Sequence, residues 1–117
     1  MQLVHRLLFQ QIAINILLNS VRFTDEGKIQ FDVHAHEDDD KLKVKFKIKD
    51  SGCGIGEDFL PRIYDEFSQE KRNPNKYGKG TGLGLTVVKR LVELLNGEIS
   101  VDSEEDMGTT FRVEFEL

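Results

Sequence analysis

The 117-residue sequence predicts a two-layer α/β (α+β) sandwich, with helices on one face of a mixed, largely antiparallel sheet. Three observations point there. Long segments carry apolar residues at helical spacing, four other segments alternate apolar and polar residues, and each alternating run leaves one face wet. Strands buried on one face need a single covering layer, which the helices supply.

Residues 2–24 contain neither Gly nor Pro, and Leu3, Leu7, Leu8, Ile12, Ile16, Leu17 and Val21 recur at helical spacing, which predicts one long helix. Asp25, Glu26 and Gly27 end it. Ile29, Phe31, Val33 and Ala35 alternate with polar residues, as do Leu42, Val44, Phe46 and Ile48 with Lys41, Lys43, Lys45, Lys47 and Lys49. Both are strands, the lysines forming a solvated face, and the acidic residues 37–40 read as the hairpin tip between them. A glycine-rich run over 50–56 leads to a short helix over 58–67 and a polar loop over 68–84. A structureless loop of that length is usually functional. Residues 86–95 predict a further helix closed by Asn96 and Gly97, and residues 98–103 and 109–117 alternate as two more strands.

The length suits one domain. Sixteen Lys and Arg against 21 Asp and Glu give a net charge of −5, the wrong sign for nonspecific nucleic-acid binding or for lying on anionic lipid. Cys53 is the single cysteine, which excludes an intrachain disulfide and a cysteine-cluster metal site and fits a reducing compartment. The apolar stretch 12–18 is interrupted by Asn15 and falls short of the roughly 18 residues of a membrane span. His34 and His36 share one strand face near the turn and are read as surface.

Several residue groups carry chemistry. Gln11, Asn15, Asn19 and Arg22 stack along one stripe of the first helix, which calls either for internal hydrogen bonds or for a polar ligand against the helix. Asp50, Gly52, Gly54 and Gly56 follow a strand, where glycines form a turn or admit a ligand close to the backbone. Gly78, Lys79, Gly80, Thr81, Gly82, Leu83 and Gly84 lie directly before a helix, where unpaired N–H groups can hold phosphate. Lys71, Arg72, Lys76 and Lys79 add a local positive field. No strand precedes the second glycine cluster, so neither a Rossmann nor a Walker A pattern fits.

Together, the segments 15–24, 50–56, 63–69 and 78–85 resemble, in order and spacing, the N, G1, F and G2 boxes of the ATP-binding catalytic domain of two-component sensor histidine kinases. The segment from Phe67 into the loop is most similar to hybrid-type kinases. The resemblance spans nearly all of residues 1–117 and implies a Bergerat-type ATP-binding fold in which residues 68–84 form a mobile lid. It further implies that Asn19 coordinates a Mg²⁺ bridging the ATP phosphates, that Asn15 assists, and that Arg22 contacts phosphate where the family usually has lysine. Asp50 would accept a hydrogen bond from the adenine amino group, with Gly52, Gly54 and Gly56 shaping the pocket floor. Thr109 would make a second adenine contact. Lys79, Gly80, Thr81, Gly82, Leu83 and Gly84 would line the phosphates, Tyr64 and Phe67 would pack the base of the lid, and Gln69 would reach toward the phosphates.

Related ATPases of the gyrase type carry a glutamate one turn before the Mg²⁺ asparagine, where this chain has Asn15, so the resemblance implies phosphoryl transfer rather than hydrolysis. The acceptor is then a histidine on a separate dimerisation domain, and a response-regulator receiver domain lies downstream. The setting implied is cytoplasmic, as the inner portion of a membrane-associated sensor, with no nucleic acid and no direct membrane contact. The family's strand ahead of the first helix has no counterpart here, as expected of an N-terminally truncated domain. Two other functions fit the same pattern: a nucleotide-binding pseudokinase module, and a serine kinase of the anti-sigma type.

Overall fold

A computed structural model describes residues 3–65 and 84–116. Helix α1 (Leu3–Phe23) is followed by strands β1 (Ile29–Asp38) and β2 (Lys41–Asp50), helix α2 (Gly84–Leu94), and strands β3 (Glu98–Glu104) and β4 (Gly108–Glu116). The sheet order is β1-β2-β4-β3, and every pairing among the described strands is antiparallel. Two hairpins are thus joined through β2 and β4, and both helices lie on the apolar face.

The register explains the layering. Phe31, Ile48, Phe111 and Val101 stand side by side across the four strands, as do Val33, Phe46, Val113 and Ile99. Ile12 and Ile16 of α1 and Val88 and Val92 of α2 close over these rows, and all four are essentially inaccessible. Phe9 meets Phe46 edge to face at 5.2 Å between ring centroids, extending the core toward the first turns of α1. No helix among the described residues is long and apolar enough to cross a membrane.

Several boundaries differ from the sequence expectation. The β1–β2 tip is tighter than residues 37–40: only Asp39 and Asp40 turn, both at positive φ (52° and 64°), while Glu37 and Asp38 continue the strand. A two-residue turn with both residues left-handed matches strand twist, and aspartate tolerates that conformation. Within the described part of 58–67, a 3-10 turn at Leu60–Arg62 stands in place of the expected helix. Pro61 supplies no N–H, and the surrounding bonds, Arg62 N–H to the Phe59 carbonyl at 2.8 Å and Asp65 N–H to the Arg62 carbonyl at 3.1 Å, keep a three-residue span. Gly84, placed in the loop by the sequence, opens α2. Strand β1 buries its apolar side less than expected, with Phe31 and Val33 still 41% and 44% exposed, because it is an edge strand beside β2.

Helix α2 ends as the sequence predicts. Asn96 adopts a left-handed conformation (φ 52°), its N–H donates to the Glu93 carbonyl at 3.0 Å, and the Gly97 N–H donates to the Val92 carbonyl at 2.9 Å. This pair of bonds satisfies carbonyls that the helix end would otherwise orphan.

Candidate functional site

One inward-facing row of the sheet is polar. Asp50 at the end of β2 pairs with Thr109 on β4, which pairs with Ser103 on β3, next to the apolar row of Ile48, Phe111 and Val101. Asp50 and Thr109 are both buried. The Ser103 and Thr109 hydroxyls lie 2.8 Å apart, and Ser103 Oγ donates to the Gly108 carbonyl at 3.1 Å. Buried polar groups persist when they are bonded, so this row is a built feature at one end of an otherwise apolar face.

The glycine-rich loop after Asp50 is fastened against this row. Asp50 Oδ1 accepts the Gly52 N–H at 2.9 Å, and Ser103 Oγ accepts the Ile55 N–H at 2.7 Å. Between them, the Cys53 N–H donates to the Phe23 carbonyl at the end of α1 (3.1 Å), and the Cys53 carbonyl accepts the Asp106 N–H from the β3–β4 turn (2.8 Å). Backbone contacts this close leave no room for side chains. A Cβ at Gly54 (φ +71°) would strike the Glu104 carbonyl, and one at Gly108 (φ +125°) would strike the Asp50 carbonyl. Gly52 lies against the Phe23 carbonyl, and the buried Gly56 accepts the Phe59 and Leu60 N–H groups, each at 3.0 Å.

Helix α1 supplies the remaining polar groups. Asn15 and Asn19 are half-buried one turn apart, and Arg22 is exposed. Gln11 Nε2 donates to Asn15 Oδ1 at 3.1 Å, so part of the amide stripe satisfies itself. The hydroxyls of Ser20 and Thr24 are buried without a partner at the end of α1 that holds the loop. Asn15 and Asn19 offer neutral amide oxygens. That set suits a hard divalent cation carried largely by phosphate and water, of which the protein supplies one or two ligands.

Tyr64 packs against the core, and its hydroxyl is buried without a partner. That burial pushes the phenol pKa up to about 12. Its carbonyl accepts the Thr86 hydroxyl at 2.7 Å, tying the first turn of α2 to the segment after the 3-10 turn, and Lys89 Nζ lies 5.5 Å from the ring centroid.

The structure thus brings Asp50, Gly52, Gly54, Gly56 and Thr109 together. Phe67, Lys79, Gly80, Thr81, Gly82 and Leu83, with the rest of 68–84 except Gly84, lie outside the described residues. Gly84 is exposed, and a Cβ there would meet nothing within 4 Å. Ser103 is the residue that sequence reasoning missed. Its signal is parity: Ile99, Val101 and Ser103 share the inward face of β3, so the serine replaces an expected apolar side chain.

Residues 4–117 match the family described as histidine kinase-, DNA gyrase B- and HSP90-like ATPases. The autoinducer 2 sensor kinase/phosphatase LuxQ of Vibrio cholerae is 38% identical over 108 residues, covering 92% of this chain and 12% of LuxQ. The sensor histidine kinase RcsC of Escherichia coli is also 38% identical, over 92% of this chain and 11% of RcsC. Hybrid signal transduction histidine kinase B of Dictyostelium discoideum is 41% identical, over 87% of this chain and 5% of that protein. The chain therefore spans a small part of these relatives. Among solved structures, full-length ShkA in complex with AMPPNP superposes with a TM-score of 0.71 at 31% identity, covering 92% of this chain and 21% of that one. The catalytic domain of the histidine kinase ThkA gives 0.67 at 28% identity, covering 94% and 66%.

Proposed function

The chain belongs to the histidine kinase-, DNA gyrase B- and HSP90-like ATPase family, and from that premise we propose that residues 1–117 form a histidine kinase catalytic domain. It binds Mg²⁺-ATP and donates the γ-phosphoryl group to a histidine on a separate dimerisation domain. The observation that carries this reading is the buried Asp50–Thr109 pair beside a loop whose glycines keep side chains out of the way.

Asp50 accepts from the adenine amino group, which discriminates against guanine, since guanine presents an acceptor at that position. Thr109, bonded to Ser103, makes the second contact with the base. Asn19, assisted by Asn15, ligates Mg²⁺, which neutralises phosphate charge when bound, and Arg22 contacts phosphate. Lys79, Gly80, Thr81, Gly82, Leu83 and Gly84 line the phosphates, with Phe67 at the base of the lid. In transfer, the acceptor imidazole nitrogen bonds to the γ-phosphorus, the bond to the β–γ bridging oxygen breaks, and ADP leaves. An amide has no basicity near neutral pH, so Asn15 does not activate water, and the phosphoryl group is kept for the incoming histidine. Charge placement and positioning do the rest.

The AMPPNP bound by ShkA supports the nucleotide assignment. The relatives named as a sensor histidine kinase and a hybrid signal transduction histidine kinase support a signalling role; the same reading takes a receiver domain as downstream partner and the cytoplasm as setting. Calorimetric titration with a nonhydrolysable ATP analogue, first with Mg²⁺ and then with EDTA, tests the reading. Binding that weakens without Mg²⁺ is expected. Absence of binding in both conditions would refute it.

A further inference from the structure

The proton carried by Ser103 decides what Thr109 can read. Ser103 Oγ lies 2.7 Å from the Ile55 nitrogen, 3.1 Å from the Gly108 carbonyl oxygen and 2.8 Å from Thr109 Oγ1. The Ile55 N–H can only donate, and the Gly108 carbonyl can only accept. The two oxygen–oxygen contacts need one proton each, and the Ser103 and Thr109 hydroxyls hold one proton each. Ser103 must supply the Gly108 contact, because the carbonyl has no proton to give. The contact between the two hydroxyls is therefore supplied by Thr109. Ser103 is then saturated, with one donation and two acceptances. Thr109 is left with lone pairs and no proton, and its hydroxyl has no other hydrogen-bond partner among the described residues.

We propose that Ser103 is a positioning residue for purine specificity: by taking the Thr109 proton, it fixes Thr109 as an acceptor toward whatever enters the site. The inference rests on the nucleotide reading above. Asp50 stands directly opposite Thr109. Its Oδ1 accepts the Gly52 N–H at 2.9 Å, and a carboxylate can only accept. The row thus ends in acceptors alone and takes a base edge that donates. Adenine offers an amino group at its 6-position. Hypoxanthine, like guanine, offers a carbonyl oxygen there and would set acceptor against acceptor. A water between Thr109 and the base keeps the same sense. One of its protons goes to Thr109, and the other needs an acceptor such as the adenine ring nitrogen beside the amino group, which carries a proton in hypoxanthine. With Ser103 lost, the Thr109 hydroxyl turns and donates to the 6-oxo group, so Ser103 excludes the wrong purine without touching it.

Calorimetric titration of the 117-residue chain with Mg²⁺-ATP and with Mg²⁺-ITP, which carries hypoxanthine, gives the ratio of the two affinities. The unsubstituted chain should prefer ATP. Ser103→Ala should cut that preference about tenfold, the effect of one hydrogen bond gained by ITP. Ser103→Cys, whose thiol is a weak acceptor, should shift it the same way. Ser103→Thr keeps the hydroxyl and should retain the preference. In a Thr109→Val background, Ser103→Ala should leave the ratio where it stands, because the group it acts through is gone. A purely structural Ser103 would weaken both nucleotides alike. An unchanged ratio in folded Ser103→Ala or Ser103→Cys would therefore overturn the proposal, as would equal affinities in the unsubstituted chain or a shift that persists with Thr109→Val. A chain that binds neither triphosphate would overturn the nucleotide reading, and the role of Ser103 with it.

Discussion

Asp50→Asn separates the base-reading role proposed for this carboxylate from its structural one. The side chain is 4% exposed, and its Oδ1 holds the Gly52 N–H at 2.9 Å. Asparagine keeps the shape and retains one carbonyl oxygen for that N–H, so the loop keeps its anchor. The other arm changes from acceptor to NH₂ donor and meets the adenine amino group donor to donor. A hydrogen bond to a charged acceptor is worth about 1.5–3 kcal/mol. Its loss corresponds to roughly a 10- to 150-fold weaker ATP affinity, while Tm should move by only a few degrees. Titration calorimetry and a thermal melt on the same preparation read both quantities. Unchanged ATP affinity in a folded variant would refute the assignment of Asp50 to the base, and an unfolded variant would show that its charge serves the fold.

Three further substitutions probe the rest of the site. Ser103→Ala removes the acceptor of the Ile55 N–H (2.7 Å) and the neighbour of the Thr109 hydroxyl (2.8 Å), so stability should fall by about 1–3 kcal/mol; an unchanged melt would show that the loop does not depend on this hydroxyl. Tyr64→Phe should flatten the alkaline arm of the stability profile. The folded chain keeps the phenol proton up to about pH 12 against an ordinary pKa of 10.0, so stability declines as pH climbs between these values, and melts of the two proteins across that window would show it. Asn15→Glu places a carboxylate where the amide stands and should raise phosphate release from ATP by on the order of 10-fold or more, read by a phosphate assay with Asn15→Gln as control.

The strands were legible because their alternation is strict. Val44, Phe46 and Ile48 between lysines admit one inward face, and the register in the structure uses it. Asp50 and the alternating glycines stood out by residue type and spacing, and Thr109 through the family resemblance; strand register brings them together. Ser103 did not stand out, since a serine near a strand end looks like any solvated position until its partner strand is known. The 3-10 turn at Leu60–Arg62 was missed for a local reason: the apolar spacing of Phe59, Leu60 and Ile63 suits a helix, and Pro61 decides against it.

The location of the site follows from strand register. Asp50, Thr109 and Ser103 face inward because they share parity with Ile48, Phe111 and Val101. A one-residue slip between strands would turn this row to solvent and carry charged side chains toward the core. Register is held from the far end of the first hairpin by the left-handed pair Asp39 and Asp40, which sets Asp38 opposite Lys41 and thereby Ile29 opposite Asp50. At the near end it is held by Gly108, whose backbone lies against Asp50 where no side chain would fit. On the wet face, Lys45 and Glu114 at 3.6 Å are directly opposed across β2 and β4, whereas Lys41 reaches Glu116 at 3.3 Å diagonally, since Glu116 stands opposite Lys43. Exposed pairs of this kind add little stability, yet the directly opposed Lys45–Glu114 pair fits the observed alignment better than its neighbours. The lysine face without chemistry of its own therefore helps fix the inward position of the residues that have it.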